Sequence, residues 1–204
     1  MKKLVGCVLI FVLIVINSVG CGTNHVEPND NSLPVGEKFE IVWPEIILNR
    51  LGSTAEEEAK LIEEIKDKNV YSSLRVNDNN TLTVILTEEQ RKNSLSLYIE
   101  NLEGFIKTYY ERARLKTEIS EDYSEISFYI VGESDLMETV NGLYVIMSMT
   151  LVVRLYETKD ADDITVHVKF YNDAKGILLT EADIPWEDID LTPEMWEEDI
   201  SNAA

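Results

Sequence analysis

The stretch from Leu143 to Leu155 constrains the fold most. Among its residues only Ser148, Thr150 and Arg154 are clearly polar. A helix that is apolar on most sides has to be covered on most sides. Thirteen residues interrupted by Arg154 fall short of a bilayer span. The helix, expected over about 135–156, is therefore either the central core helix or a dimer surface. The core is favoured, because a single layer of strands needs a covering partner.

The partner strands are legible by alternation. Ile164, Val166, Val168 and Phe170 share one phase of Asp163 to Tyr171, with Thr165, His167 and Lys169 in the other. Asn172 to Gly176 turns the chain into a second arm from Ile177 to Thr180. Ile126, Phe128 and Ile130 make Ser124–Val131 a strand, and Phe39, Ile41 and Trp43 make Lys38–Trp43 another, which Pro44 ends. Val70–Val76 and Thr81–Leu86 form a hairpin around Asn77-Asp78-Asn79-Asn80. A helix begins near Ser53 or Thr54, each with a Glu three residues on. Thr87 and Gln90 cap the longest helix, about 88–115, with Leu95, Ile99, Leu102, Ile106, Tyr109 and Ala113 as its apolar stripe. Arg91, Glu100, Glu103 and Lys107 lie opposite, and Gly104 suggests a close backbone contact. The expected class is α+β: a mainly antiparallel sheet of about six strands with helices packed on one face.

The N-terminus points to an address. Lys2 and Lys3 precede an apolar run, Leu4 to Ile16, broken only by Gly6, and Ser18-Val19-Gly20-Cys21 closes it. Basic, apolar and small-residue regions in that order are the layout of a secretory signal. Thirteen residues make about 20 Å of helix, too short for a roughly 30 Å hydrocarbon core. The tetrapeptide ending at Cys21 resembles the lipobox of bacterial lipoproteins, although Ser18 stands where Leu is usual. That resemblance implies cleavage between Gly20 and Cys21 and a diacylglyceryl group on the Cys21 thiol. Two acyl chains anchor stably where one does not. Residues 1–20 are then signal, 21–36 lipidated Cys and flexible tether, 37–186 a single α+β domain, and 187–204 an acidic C-terminal segment.

The chain carries 18 basic and 38 acidic residues, net −20. Without residues 1–20, which hold two Lys and no acid, the balance is 16 against 38, net −22. Such a balance repels nucleic acid and anionic headgroups. Cys7 lies in the signal and Cys21 would be lipidated, so no thiol remains for a disulfide, metal or nucleophile.

His167 is the one His of the expected domain and lies on the outward face of its strand, so a solvated surface role is expected. His25 sits in the tether with no neighbouring ligand. No Gly-x-Ser-x-Gly, P-loop or Gly-x-Gly-x-x-Gly is present. Asp160, Asp162 and Asp163 are the nearest candidates for calcium, with Asn77–Asn80 as a second loop; neither fits the EF-hand pattern. No cofactor is expected.

Asn79–Glu111, Asp122–Val131 and Asp163–Glu181 together resemble small Gram-positive lipoproteins described as antigen I/II N-terminal domain-like. The likeness rests on the lipobox, the alternating hairpin, the charged amphipathic helix, the D-Y-S-E-I-S-F strand, the apolar helix and the V-H-V-K-F-Y-N-D-A-K-G hairpin. It implies envelope placement and no catalytic residue. The expectation is a lipid-anchored, non-enzymatic binding module on the outer face of the cell membrane. Its partner would be an envelope protein or polymer, or a second copy through the apolar helix. The alternative is a small carboxylate-dependent envelope hydrolase.

Overall fold

A computed structural model describes residues 36–65, 69–131, 136–192 and Met195. Among the described residues, seven strands form two sheets rather than the single sheet of about six expected. The chain divides into two compact units, with the boundary between Ser94 and Leu95 inside a helix.

In the first unit, β1 (Lys38–Trp43) and β2 (Ser73–Val76) flank β3 (Leu82–Thr87), both antiparallel to it. Ile41, Trp43, Leu82, Val84 and Leu86 are buried. The expected hairpin is present, with Val76 opposite Leu82 and Leu74 opposite Val84, but its first arm is the four residues Ser73–Val76 rather than Val70–Val76. Asn80 takes a left-handed φ of 54° at the turn, a conformation that Asn tolerates.

Helix α1 (Glu45–Leu51) departs from the sequence expectation, which has no element there. Pro44 precedes it, where a missing N–H costs nothing. Gly52 ends it at φ 69°, donating to the Asn49 carbonyl at 3.1 Å, while Ser53 donates to Leu48 at 2.9 Å. Helix α2 (Ala55–Glu64) begins with both reciprocal bonds of a capping box between Thr54 and Glu57, so Thr54 rather than Ser53 is the cap. It packs on β2 and β3 through Ala55, Ala59 and Ile62.

Helix α3 (Glu88–Ala113) is capped as expected: Thr87 N–H donates to Gln90 Oε1 at 2.9 Å, and Gln90 N–H to Thr87 Oγ1 at 3.3 Å. Arg91, expected in solvent, is buried and grips Glu88 with Nη2–Oε1 at 2.8 Å. A Cβ placed on Gly104 would meet nothing within 4 Å, so the expected close contact there is absent.

The second unit carries a sheet in the order β4–β5–β6–β7. Its strands are β4 (Lys116–Ile119), β5 (Glu125–Ile130), β6 (Val166–Asn172) and β7 (Ile177–Ile184). β4 is an addition to the expected set, and β7 runs four residues beyond the expected arm. β5 and β6 pair in parallel; the other two pairings are antiparallel. Parallel neighbours need a crossover, which α4 (Leu136–Thr158) supplies.

At 23 residues α4 is longer than the apolar run, and it is long and apolar enough to cross a membrane. It is instead a core helix: Ile146, Val153 and Leu155 have no exposed surface, and it packs on β5 and β6. The part of α3 in this unit runs beside it, with Tyr98 against Tyr156 at 5.0 Å and Tyr109 against Gly142. Ile126, Phe128, Ile130, Val166, Val168 and Phe170 form the covered face of the sheet, as the alternation requires.

Candidate functional site

Period-two alternation that buries Phe128 and Phe170 turns Tyr129, His167, Lys169 and Tyr171 to the other face of the second sheet. Register then brings distant residues together. Tyr129 and Tyr171 are direct neighbours and stack at 5.1 Å and 17°. Lys116 Nζ lies 4.3 Å from the Tyr129 ring centroid and 2.9 Å from Glu118. The Tyr129 hydroxyl donates to Glu118 Oε2 at 2.9 Å, which raises the phenol's pKa. Lys169 Nζ reaches Glu125 at 2.7 Å.

His167 lies towards one end of this face, where it pairs with Asp183 of β7. Its Nδ1 is 2.7 Å from Asp183 Oδ1 and its Nε2 is 3.3 Å from Glu181 Oε2. The hydrogen bond to Asp183, more than any other contact, raises its pKa above 6.5. The outward placement agrees with the sequence, but the ring is held between two carboxylates rather than simply solvated. Carboxylates at both nitrogens favour the imidazolium. A general base instead needs one nitrogen turned to a nucleophile's proton.

Asp160, Asp162 and Asp163, the nearest calcium candidates, do not form a ligand group. Asp160 Oδ1 accepts the Asp162 N–H at 2.9 Å and so caps the 3₁₀ turn Ala161–Asp163. Asp163 Oδ2 lies 3.7 Å from Arg154 Nη2. Asn77, Asn79 and Asn80 are likewise engaged, with Thr81 and Thr83, with Thr81, and with the Ala55 N–H respectively. Among the described residues no group of three or more His, Cys, Asp or Glu is placed to hold a metal ion.

A half-open groove lies in the second unit, between α3 and the turn that links β4 to β5. Ile99, Leu102, Ile106 and Ile119 form its apolar lining, with Glu103, Glu121 and Tyr123 around them. Its volume is about 210 Å³. Ile99 and Ile106 belong to the apolar stripe of α3 yet are only half-buried, because the groove exposes them.

The turn itself is tightly held. Asp122 Oδ1 accepts from Ser120 Oγ and Ser124 Oγ, each at 2.8 Å, and from Ser124 N–H at 3.2 Å. Those bonds, led by the Ser124 hydroxyl, hold the Asp122 carboxyl down to about 2. Arg154 Nη1 donates to the Asp122 carbonyl at 3.0 Å. Within this frame Tyr123 adopts φ 59°, a left-handed conformation uncommon for a bulky side chain. Nothing in the sequence marks Tyr123, since Asn, Asp and Gly are the usual residues there.

In the first unit Glu58 is 9% exposed. Burial raises its pKa to about 7, against the opposing hydrogen bond with Ser53. The Glu-rich start of α2 reads as a complement to the helix dipole, and that reading conceals one carboxyl that points inward.

Gly20 and Cys21, the expected cleavage and lipidation residues, lie outside the described residues. No family model matches the chain, and neither a curated protein nor a solved structure matches it.

Proposed function

We propose that this chain is an extracytoplasmic lipoprotein, anchored in the cell membrane through lipid on Cys21, whose folded part is a non-enzymatic binding module. The observation that carries the proposal is the succession of Lys2-Lys3, the apolar run Leu4–Ile16 and Gly20-Cys21. A tether of about fifteen residues has a typical reach of roughly 20 Å, which keeps the folded part near the membrane. The resemblance to Gram-positive envelope lipoproteins supports the same placement. The binding role is supported by side-chain arrays that are formed in advance: the paired outer face of the second sheet and the groove beside α3. The clamped His167 also suits an interaction surface better than acid–base catalysis.

Growth with labelled fatty acid tests the anchor. Label is expected in the wild-type protein and not in Cys21→Ser. An unlabelled wild type would refute the anchor.

A hydrolase reading has one observation in its favour, the raised carboxyl of Glu58. Acid–base hydrolysis needs a second carboxylate of different pKa in a cleft. Its neighbour Glu57 is committed to the Thr54 capping box, so the binding module is the better supported function.

A further inference from the structure

We propose that the groove between α3 and the β4–β5 turn is a docking site for a lysine or arginine side chain of a partner polypeptide. The inference deepens the binding-module reading and rests on it.

Size sets the class of occupant first. About 210 Å³ lies below the roughly 300–1,000 Å³ of pockets that enclose whole small molecules. It is in scale with one long side chain. Chemistry narrows it further. Ile99, Leu102, Ile106 and Ile119 provide an apolar bed for a methylene stem. Long cationic side chains lay such stems on apolar surface while the charged head stays near water.

Charge then selects the head. Glu103 and Glu121 belong to the lining, and among the described residues that form it there is no Lys, Arg or His. Burial first, and then the negative charges of Glu103 and Glu157, raise the pKa of the Tyr123 hydroxyl. Arg154 is not among the lining residues, and its guanidinium is engaged by Asp122 and Asp163. An anionic occupant would be repelled, and a neutral one would leave the carboxylates unused. A cation also gains from the aromatic ring of Tyr123.

The turn beside the groove is held by its own hydrogen bonds. Strained residues persist where their surroundings over-determine them, and they cluster at ligand clamps. Tyr123 at φ 59° is such a residue. The Asp122 hydrogen bonds and Arg154 hold it in place beside the groove. The site is therefore formed before any partner arrives.

The test uses the full chain in detergent micelles with ¹³C-labelled isoleucine methyl groups. It is titrated with acetyl-Gly-Lys-Gly-amide and with the norleucine analogue, which keeps the stem and lacks the charge. The lysine peptide is expected to shift Ile99, Ile106 and Ile119 saturably, in the millimolar range suited to a single side chain. The norleucine peptide should bind at least threefold more weakly. Glu103→Gln with Glu121→Gln, both surface positions, should remove that difference, as should about 1 M salt. Absence of shifts at these methyl groups, or equal affinity for the two peptides in the native chain, would overturn the inference. So would shifts that grow with protein concentration alone, which would place a second copy in the groove. Fatty-acid labelling of Cys21 does not depend on the groove. Failed peptide binding with intact labelling would therefore remove the groove inference and leave the anchor standing.

Discussion

Two glycines inside helices should respond to the same substitution with opposite signs. Replacing a helical Gly with Ala favours the helix by about 1 kcal/mol. At Gly104 the new methyl group meets nothing within 4 Å, so Gly104→Ala should keep most of that gain. For a chain of this size the thermal midpoint should rise by roughly 2–4 °C. At Gly142 a Cβ would sit 2.9 Å from Cγ and Cδ1 of Tyr109 and 2.9 Å from Cδ2 of Leu115. Tyr109 is 9% exposed and Leu115 1% exposed, so neither can swing into solvent without losing its own burial. Forcing a methylene-sized group into such packing costs about 1–3 kcal/mol. The helix gain offsets only part of this, and Gly142→Ala should lose on the order of 1 kcal/mol net. Thermal and urea unfolding followed by far-ultraviolet circular dichroism would measure both variants. A Gly142→Ala midpoint that rises with that of Gly104→Ala would refute the packing of α4 against α3.

Glu58 and His167 make stability and titration depend on pH. With a folded pKa of about 7 against an ordinary value of 4.5, Glu58 takes up its proton more readily in the folded state. Its contribution is therefore complete at pH below 4.5 and is lost as pH rises through 7. The loss amounts to up to about 3 kcal/mol. Glu58→Gln should flatten that decline and be the more stable protein at about pH 8 in urea titrations; an unchanged slope would place Glu58 in solvent. The raised pKa of His167 works in the same direction. The stabilisation is present below the unfolded value near 6.5 and lost as pH climbs through the higher folded value. Proton NMR should find the His167 ring titrating above 6.5, and Asp183→Asn should lower that midpoint; a midpoint at or below 6.5 in the native protein would contradict the clamp.

Long periodic elements are legible in the amino-acid sequence alone. The alternation around Phe128 and Phe170 marks β5 and β6, and the 3.6-residue stripe marks α3. Short elements are not. Strand β4 has four residues, and its alternation is too brief to separate from the end of the helix before it. Helix α1 has seven residues and hides behind the strand-ending Pro44. Parallel pairing of β5 with β6 is invisible in either strand alone, because it depends on the path that α4 takes between them.

The candidate site is half legible for a related reason. Ile99 and Ile106 belong to the stripe, but a stripe does not say which members stay uncovered. Its opposite face assigns Glu103 to solvent, and Glu121 and Tyr123 lie well beyond it along the chain, outside the helix. Only tertiary folding brings them to one groove. The two glycines show the same limit. Gly104 and Gly142 are equivalent as helix interiors, and only the neighbouring helix decides which one is pressed.

Mass spectrometry of the N-terminal peptide of the membrane-extracted protein addresses the central claim most directly. The proposal requires a chain that begins at Cys21 and carries a diacylglyceryl thioether. A chain that begins at Met1, or an unmodified Cys21 thiol, would contradict it.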